Sequence, residues 1–169
     1  MNRESALDIF SYRPIGTIHT PFTDLENMPI QPSGAAGIRG TIEVFPEFSE
    51  GLKDLPGFSH IILLYPFHGS RGYKLTLIPF LDTEARGVFA TRAPKRPNPI
   101  GLSIVRLIQI RECLLEIENV DILDGTPLLD IKPYVPEFDH HENCRIGWLE
   151  TARGKIKEKR SDARFRTNE

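Results

Sequence analysis

Arg92, Lys95 and Arg96 fall close together and are threaded among Pro94, Pro97 and Pro99. The chemistry such a run supports is anion binding, because guanidinium and ammonium groups meet carboxylate or phosphate through charge-assisted hydrogen bonds. Proline fixes φ and pushes the preceding residue toward an extended conformation, so the three prolines lower the entropy cost of presenting the cations. Val88 to Thr91 before the loop is a β-branched and aromatic run, and an apolar run resumes at Ile100. The expectation is a stiff cationic loop between two strands.

Other residues with chemical capacity are spread along the chain. His68 precedes Gly69 where an apolar run ends; a histidine there contacts a ligand through ring or backbone, or is simply structural. Asp124-Gly125-Thr126-Pro127 is a turn signal in its own right. Asp130, Lys132 and Tyr134 alternate, which puts them on one face of a strand. That face is a candidate for orienting a substrate, and an ordinary polar strand face is the competing reading. Residues 139–144 (Asp-His-His-Glu-Asn-Cys) contain metal-ligating types. Adjacent ligands on a strand point to opposite faces, however, and no second cluster accompanies them, so no metal is expected. His19 reads as a polar side chain at a strand end rather than a base.

The elements that must position these groups are mostly short strands. Alternation over residues 12–20 and 38–45 gives two strands, each stopped by a proline, with a Pro- and Gly-containing surface loop over 23–37 between them. Phe48, Leu52 and Leu55 fall at helical spacing, predicting a short helix over 47–55 with Ser49 as a possible cap. Ile61 to Tyr65 is apolar on both parities and predicts a strand buried on both faces. Short strands are expected over 75–80 and 128–134. A long strand over 100–110, bent near Arg106, leads across a turn at 111–112 into another over 113–120, with Glu116 and Glu118 outward. Trp148, Ala152 and Ile156 fall four apart, and seven cations between Arg153 and Arg166 make the end a basic helix or tail with phosphate contact in view.

At 169 residues the chain fits one domain with a core of its own. Lys plus Arg number 21 against 23 Asp plus Glu, a formal charge of -2, so any nucleic-acid contact must come from a local patch. Cys113 and Cys144 are too few and too far apart for a disulfide framework. No apolar run approaches the roughly 20 residues of a membrane helix, and the opening residues do not read as a signal peptide. A cytoplasmic location without membrane attachment is the expectation. Many strands and no strand-then-GxG pattern argue for a mainly β, single-domain barrel with short helices rather than a doubly wound sheet.

The stretch 87–103, GVFATRAPKRPNPIGLS, resembles the signature of the TsaA/TrmO family. Ile15 to Phe22 (IGTIHTPF), Gly57-Phe-Ser-His60 running to Phe67-His68, and Asp124 to Pro136 (DGTPLLDIKPYVP) are similar to further family motifs in the same order. The resemblance implies a barrel-type methyltransferase that uses S-adenosylmethionine on the exocyclic nitrogen of threonylcarbamoyladenosine beside a tRNA anticodon. It also implies a homodimer with pockets near the interface. Carried over motif by motif, cofactor contacts would come from Pro29, Ile30 and Gln31, from His68 and Gly69, from Arg92, from Leu102, and from Asp124, Gly125, Thr126 and Pro127. Arg92 would pair with the methionine carboxylate or fix a carboxylate of the pocket. Lys95, Arg96 and Asn98, on the loop tip, would face RNA or the substrate's threonine carboxylate. Asp130, Lys132 and Tyr134 are the catalytic candidates. The implied division is an arm over 1–11, the barrel over 12–146 and the basic end over 147–169. Two rivals stand beside it. One is a methyltransferase of the same fold acting on another adenosine derivative or a small molecule. The other is a non-catalytic RNA-binding barrel, which should expose stacking aromatics, whereas Phe89, Phe80 and Tyr65 read as buried.

Overall fold

The structure, a computed structural model, describes residues 9–26, 28–31, 34–152 and 161. Its strands are β1 (Gly16–His19), β2 (Arg39–Val44), β3 (His60–Pro66), β4 (Thr76–Leu77), β5 (Arg86–Gly87), β6 (Ile100–Arg111), β7 (Leu114–Glu118), β8 (Thr126–Leu128) and β9 (Asp130–Pro133). Seven form one antiparallel sheet in the order β8-β1-β2-β7-β6-β3-β9. Only Leu129 separates β8, which pairs with β1, from β9, which pairs with β3. Its N–H donates to the Leu64 carbonyl at 2.9 Å. One bent stretch of chain therefore serves both ends of the sheet, which curls into a nearly closed barrel and leaves little edge exposed.

Inward positions follow the two-residue period of the strands. Ile18, Ile42, Val44, Ile61, Leu63, Val105, Leu115, Ile117 and Leu128 fill the interior, with Val120 and Ile122 from the segment after β7. β3 departs from expectation: Ile61, Leu63 and Tyr65 are buried, but Ile62 and Leu64 are only half-buried. No long helix covers the outer face among the described residues, so apolar residues of the second parity lie at the surface. The bend in β6 is a register shift between Leu107 and Gln109, and Glu112, at φ 53°, turns the chain into β7. Glu118 is mostly covered on the outside by Arg39 and Arg106.

The helix expected over 47–55 is instead two 3₁₀ turns, Pro46–Leu52 and Leu55–Gly57, joined through Asp54 at φ 66°. Gly51 and Pro56 interrupt any longer α-helix, and Ser49 makes no cap. The strand expected over 75–80 shrinks to β4, which pairs only with β5. That ribbon forms a small lobe with its own cluster of Leu77, Val88 and Ala93 under Phe80. Val88 to Thr91 is not extended as expected: Val88–Ala90 is a 3₁₀ turn, closed by the Thr91 N–H and hydroxyl on the Val88 carbonyl. A short α-helix, Pro136–Asp139, follows β9. At the end, Gly147–Ala152 is a 3₁₀ segment whose Trp148 Nε1 donates to the Ala90 carbonyl at 2.8 Å. Ile156 and the seven terminal cations lie outside the described residues, as does most of the expected N-terminal arm.

Candidate active site

A cavity of about 1080 Å³ opens where one end of the barrel meets the small lobe. Its barrel side begins with a glycine. Gly101 pairs with Tyr65 across β6 and β3, and a Cβ on Gly101 would run into the Tyr65 ring. Its absence lets the ring lie over the β6 backbone with the phenol beside Ser103, one step further along β6. Tyr65 Oη and Ser103 Oγ are 2.8 Å apart, and Ser103 Oγ donates to Asp121 Oδ1 at 2.6 Å. Because the serine proton is committed to the carboxylate, the phenol donates to the serine and the chain has one direction.

Asp121 stands between buried Val120 and Ile122 and lines the cavity. Burial pushes its carboxyl up to about 6, against the opposing pull of the Ser103 hydrogen bond and, more weakly, of Arg92. Burial, with the neighbouring Asp121 charge, also drives the Tyr65 phenol well above its usual range, so it stays a neutral donor.

The opposite wall is the proline loop. Phe67 N–H donates to the Pro99 carbonyl at 2.7 Å, and Lys74 N–H to the Lys95 carbonyl at 3.2 Å. Arg96 turns back on its own loop, donating to the Thr91 carbonyl at 3.1 Å. Its guanidinium is thus a brace, where the sequence placed it on an outward-facing tip. Arg92 is exposed and reaches Gln31 Oε1 at 3.3 Å, linking this loop to the 28–31 segment. Phe89 is 76% exposed at the cavity wall, which corrects its reading as a buried strand residue. The 3₁₀ turn swings it out while Val88 takes the inward position.

Pro29, Ile30, Gln31, His68, Gly69, Arg92 and Leu102, drawn from separate parts of the sequence, all line this one cavity, together with Thr126, Arg96 and Asn98. Thr126 Oγ1 donates to the Leu123 carbonyl at 2.6 Å and lies 3.2 Å from His68 Nδ1. With the hydroxyl proton so engaged, the contact makes His68 Nδ1 the donor. Asp124, Gly125, Pro127 and Lys95 do not line the cavity. Asp124 Oδ1 accepts the Thr20 N–H at 3.0 Å and Gly125 sits at φ 71°, so this turn acts by seating Thr126.

Asp130, Lys132 and Tyr134 are not brought to this cavity. Asp130 is paired with Leu64 and Lys132 with Ile62, the outward parity of β3. They do share a face, but it is the barrel exterior, where Lys132 Nζ and Asp130 Oδ2 form an ion pair at 2.8 Å. The site residues that sequence reasoning passed over are Tyr65, Ser103 and Asp121. The available signal was a serine at an inward position of β6 and an aspartate inside the apolar run 120–122. Among the described residues, no group of three or more His, Cys, Asp or Glu side chains is placed to hold a metal.

A family model described as the tRNA-methyltransferase O N-terminal domain matches residues 17–140. A Pyrococcus abyssi protein described as a probable S-adenosyl-L-methionine-binding protein is 61% identical over 154 residues, covering 91% of this chain and 84% of its own length. The Escherichia coli tRNA (adenine(37)-N6)-methyltransferase is 36% identical over 153 residues, covering 85% of this chain and 65% of that protein. The crystal structure of TrmO from Pseudomonas aeruginosa superimposes with a TM-score of 0.71 at 41% identity, covering 83% of this chain and 63% of that one. The chain thus spans just under two thirds of these two bacterial proteins.

Proposed function

Because the chain belongs to the tRNA-methyltransferase O N-terminal domain family, we propose that it is an S-adenosylmethionine-dependent methyltransferase acting on the exocyclic nitrogen of an adenosine in tRNA. We propose further that this adenosine is the threonylcarbamoyl derivative beside the anticodon. The observation that carries the reading is the convergence of the 29–31 segment, the His68-Gly69 turn, Arg92, Leu102 and Thr126 on one cavity. Its volume lies just above the roughly 300–1,000 Å³ range of small-molecule sites, enough for a cofactor and part of a second reactant.

The residues present fit the cofactor. Met28, Pro29, Ile30 and Leu123 offer apolar walls for a nucleoside, and Arg92, whose hydrogen bond among the described residues goes to the neutral Gln31 amide, is the cation for a carboxylate. S-adenosylmethionine, when bound, supplies an electrophilic methyl group on a sulfonium. The protein's contribution is then mainly to position the reactants, worth up to roughly 7–11 kcal/mol when the reacting atoms are held about 3–3.5 Å apart. Phe89 gives the cavity a flat apolar face on which a nucleobase can stack, and Lys95 and Asn98 lie on the same loop for the RNA backbone or the threonine carboxylate. The Asp124-Gly125-Thr126-Pro127 turn serves the cofactor through Thr126 and His68.

We propose a homodimer as well. Ile100, Leu102 and Ile104 are 47%, 45% and 37% exposed on the outer face of β6, beside half-buried Ile62 and Leu64. Ile100 and Leu102 also line the cavity, so a second copy on this stripe would extend the cavity wall. Sedimentation should give a dimer for the native chain and a monomer for Leu102→Lys; a native monomer refutes it.

Exposed Phe89 beside Arg92 also favours the rival RNA-binding barrel. Incubation with labelled S-adenosylmethionine and tRNA, with and without the threonylcarbamoyl group, followed by nucleoside analysis, separates these readings. Label in the modified adenosine only is expected. Label in unmodified adenosine corrects the substrate. Salt-sensitive RNA binding with no cofactor uptake leaves the non-catalytic barrel.

A further inference from the structure

We propose that the carboxylate of Asp121 is the catalytic base that takes the proton from the adenosine nitrogen as the methyl group arrives, and that Ser103 and Tyr65 position it. The inference rests on the methyltransferase reading above and adds a residue role to it. An exocyclic nitrogen whose lone pair is spread into the purine ring, and into a carbamoyl group where one is present, is a poor nucleophile. It becomes cationic on methylation unless its proton leaves, and a positioned acceptor removes that charge in the transition state.

In the balanced step the substrate nitrogen forms a bond to the methyl carbon. The carbon–sulfur bond breaks with its electron pair kept by sulfur, and the N–H proton passes to Asp121. The carboxylic acid so formed returns its proton to water through the open cavity.

Three features of the geometry favour Asp121. It lines the cavity, whereas the acidic residue of the β9 face, Asp130, lies on the barrel exterior. Its Oδ1 is held by Ser103 at 2.6 Å, and Ser103 is in turn held by Tyr65 at 2.8 Å, both from neighbouring strands. A carboxylate restrained in this way loses little entropy in the reaction. The titratable and charged groups around it are Tyr65 from β3 and Arg92 from the proline loop, with His68 on the same cavity. Tyr65 remains protonated, and the smaller pull of Arg92 does not cancel the effect of burial, so Asp121 titrates close to working pH, where a general base is most effective.

The test is a pH profile of methyl transfer to tRNA for the native chain, Asp121→Asn and Ser103→Ala, with labelled S-adenosylmethionine binding and circular dichroism measured alongside. The native kcat/KM should fall tenfold per pH unit below about pH 6. Asp121→Asn should lose roughly 10²–10⁴-fold in kcat at pH 8 and lose that acid limb, while binding S-adenosylmethionine within about threefold. Ser103→Ala should keep more activity but move the limb to higher pH, since the hydrogen bond that lowers the Asp121 pKa is gone; a merely structural serine would not move it. If the native chain methylates tRNA and folded Asp121→Asn matches it, or retains the limb, the role is overturned and the enzyme reading survives. If Asp121→Asn does not fold, an unmoved limb in Ser103→Ala overturns the role. A native chain that methylates no tRNA overturns both.

Discussion

Asp121→Asn has a consequence for stability that needs no substrate. The carboxyl sits at about 6 in the folded protein, against an ordinary value near 3.9, because the apolar run 120–122 carries it out of water. The folded state therefore binds this proton more tightly than the unfolded state. Its contribution to stability is fully present below the unfolded value and is lost as pH rises through 6. Between pH 8 and pH 5 the linkage amounts to ~1.4 kcal/mol of extra stability from this single group. Asp82 runs the opposite way: bonded to Arg86, it is held below its usual range and favours folding at higher pH.

The variant isolates Asp121 from that background, since asparagine can still accept the Ser103 hydrogen bond and cannot titrate. Urea titrations of both proteins at pH 5, 6, 7 and 8 give the double difference. The native chain should gain ~1.4 kcal/mol on the variant from pH 8 to pH 5, or about 3–6 °C in Tm for a domain of this size. A difference flat to within about 0.3 kcal/mol, or one that grows in the opposite direction, would refute the buried-carboxylate account and remove the electrostatic support for Asp121 as a base.

Four further outcomes are expected. Arg92→Ala should weaken S-adenosylmethionine binding by about 10- to 100-fold in equilibrium dialysis, the worth of a lost charge-assisted hydrogen bond, with an unchanged Tm; normal binding defeats the assignment. Gly101→Ala should cost about 1–3 kcal/mol by driving Cβ into the Tyr65 ring, read by urea unfolding; a neutral result would mean that β3 and β6 separate easily there. Phe89→Ala should weaken tRNA binding by about 1–3 kcal/mol in a filter assay and leave cofactor binding alone; equal losses would make Phe89 part of the cofactor wall. Replacing Lys155, Lys157 and Lys159 by glutamine should lower the salt slope of tRNA binding by up to about one unit per lost phosphate contact. Substitution is preferable to truncation, because Ser161 bonds to Met28 and Leu25 beside the cavity and truncation would remove it.

The barrel was legible in the sequence because inward-facing apolar residues repeat with the period of a strand. β2, β6 and β7 lie within a residue or two of where alternation puts them. The motif residues carried by resemblance were legible as a set, and most now line one cavity. What periodicity could not supply was absolute parity. Asp130, Lys132 and Tyr134 do share a face, but which face depends on the register of β9 against β3, a contact made across distant sequence. The same limit hid Phe89. A run of Val, Phe, Ala and Thr has strand composition, yet the Val88 carbonyl is taken by Thr91, and the 3₁₀ turn sends neighbouring side chains in different directions.

Parity also explains why the polar end of the barrel is where it is. Along β6 the inward series runs Gly101, Ser103, Val105, Leu107, passing from no side chain to a hydroxyl to hydrocarbon over one strand. The glycine admits the Tyr65 ring, the ring reaches the serine, and the serine holds Asp121; beyond Val105 the interior is apolar and closed. Polarity is thus confined to the end of the barrel that the proline loop covers. Outward, the same strand alternates Ile100, Leu102 and Ile104, which would be costly to leave in water along a whole face. A second copy seated there would relieve that exposure and continue the cavity wall through Ile100 and Leu102. Leu102→Lys should accordingly lose cofactor affinity together with dimerisation, whereas Ile104→Lys, which lies away from the cavity, should lose affinity only to the extent that it also separates the copies. An Ile104→Lys monomer with unchanged cofactor affinity would show that the cavity is complete within one chain and that the apolar stripe serves assembly alone.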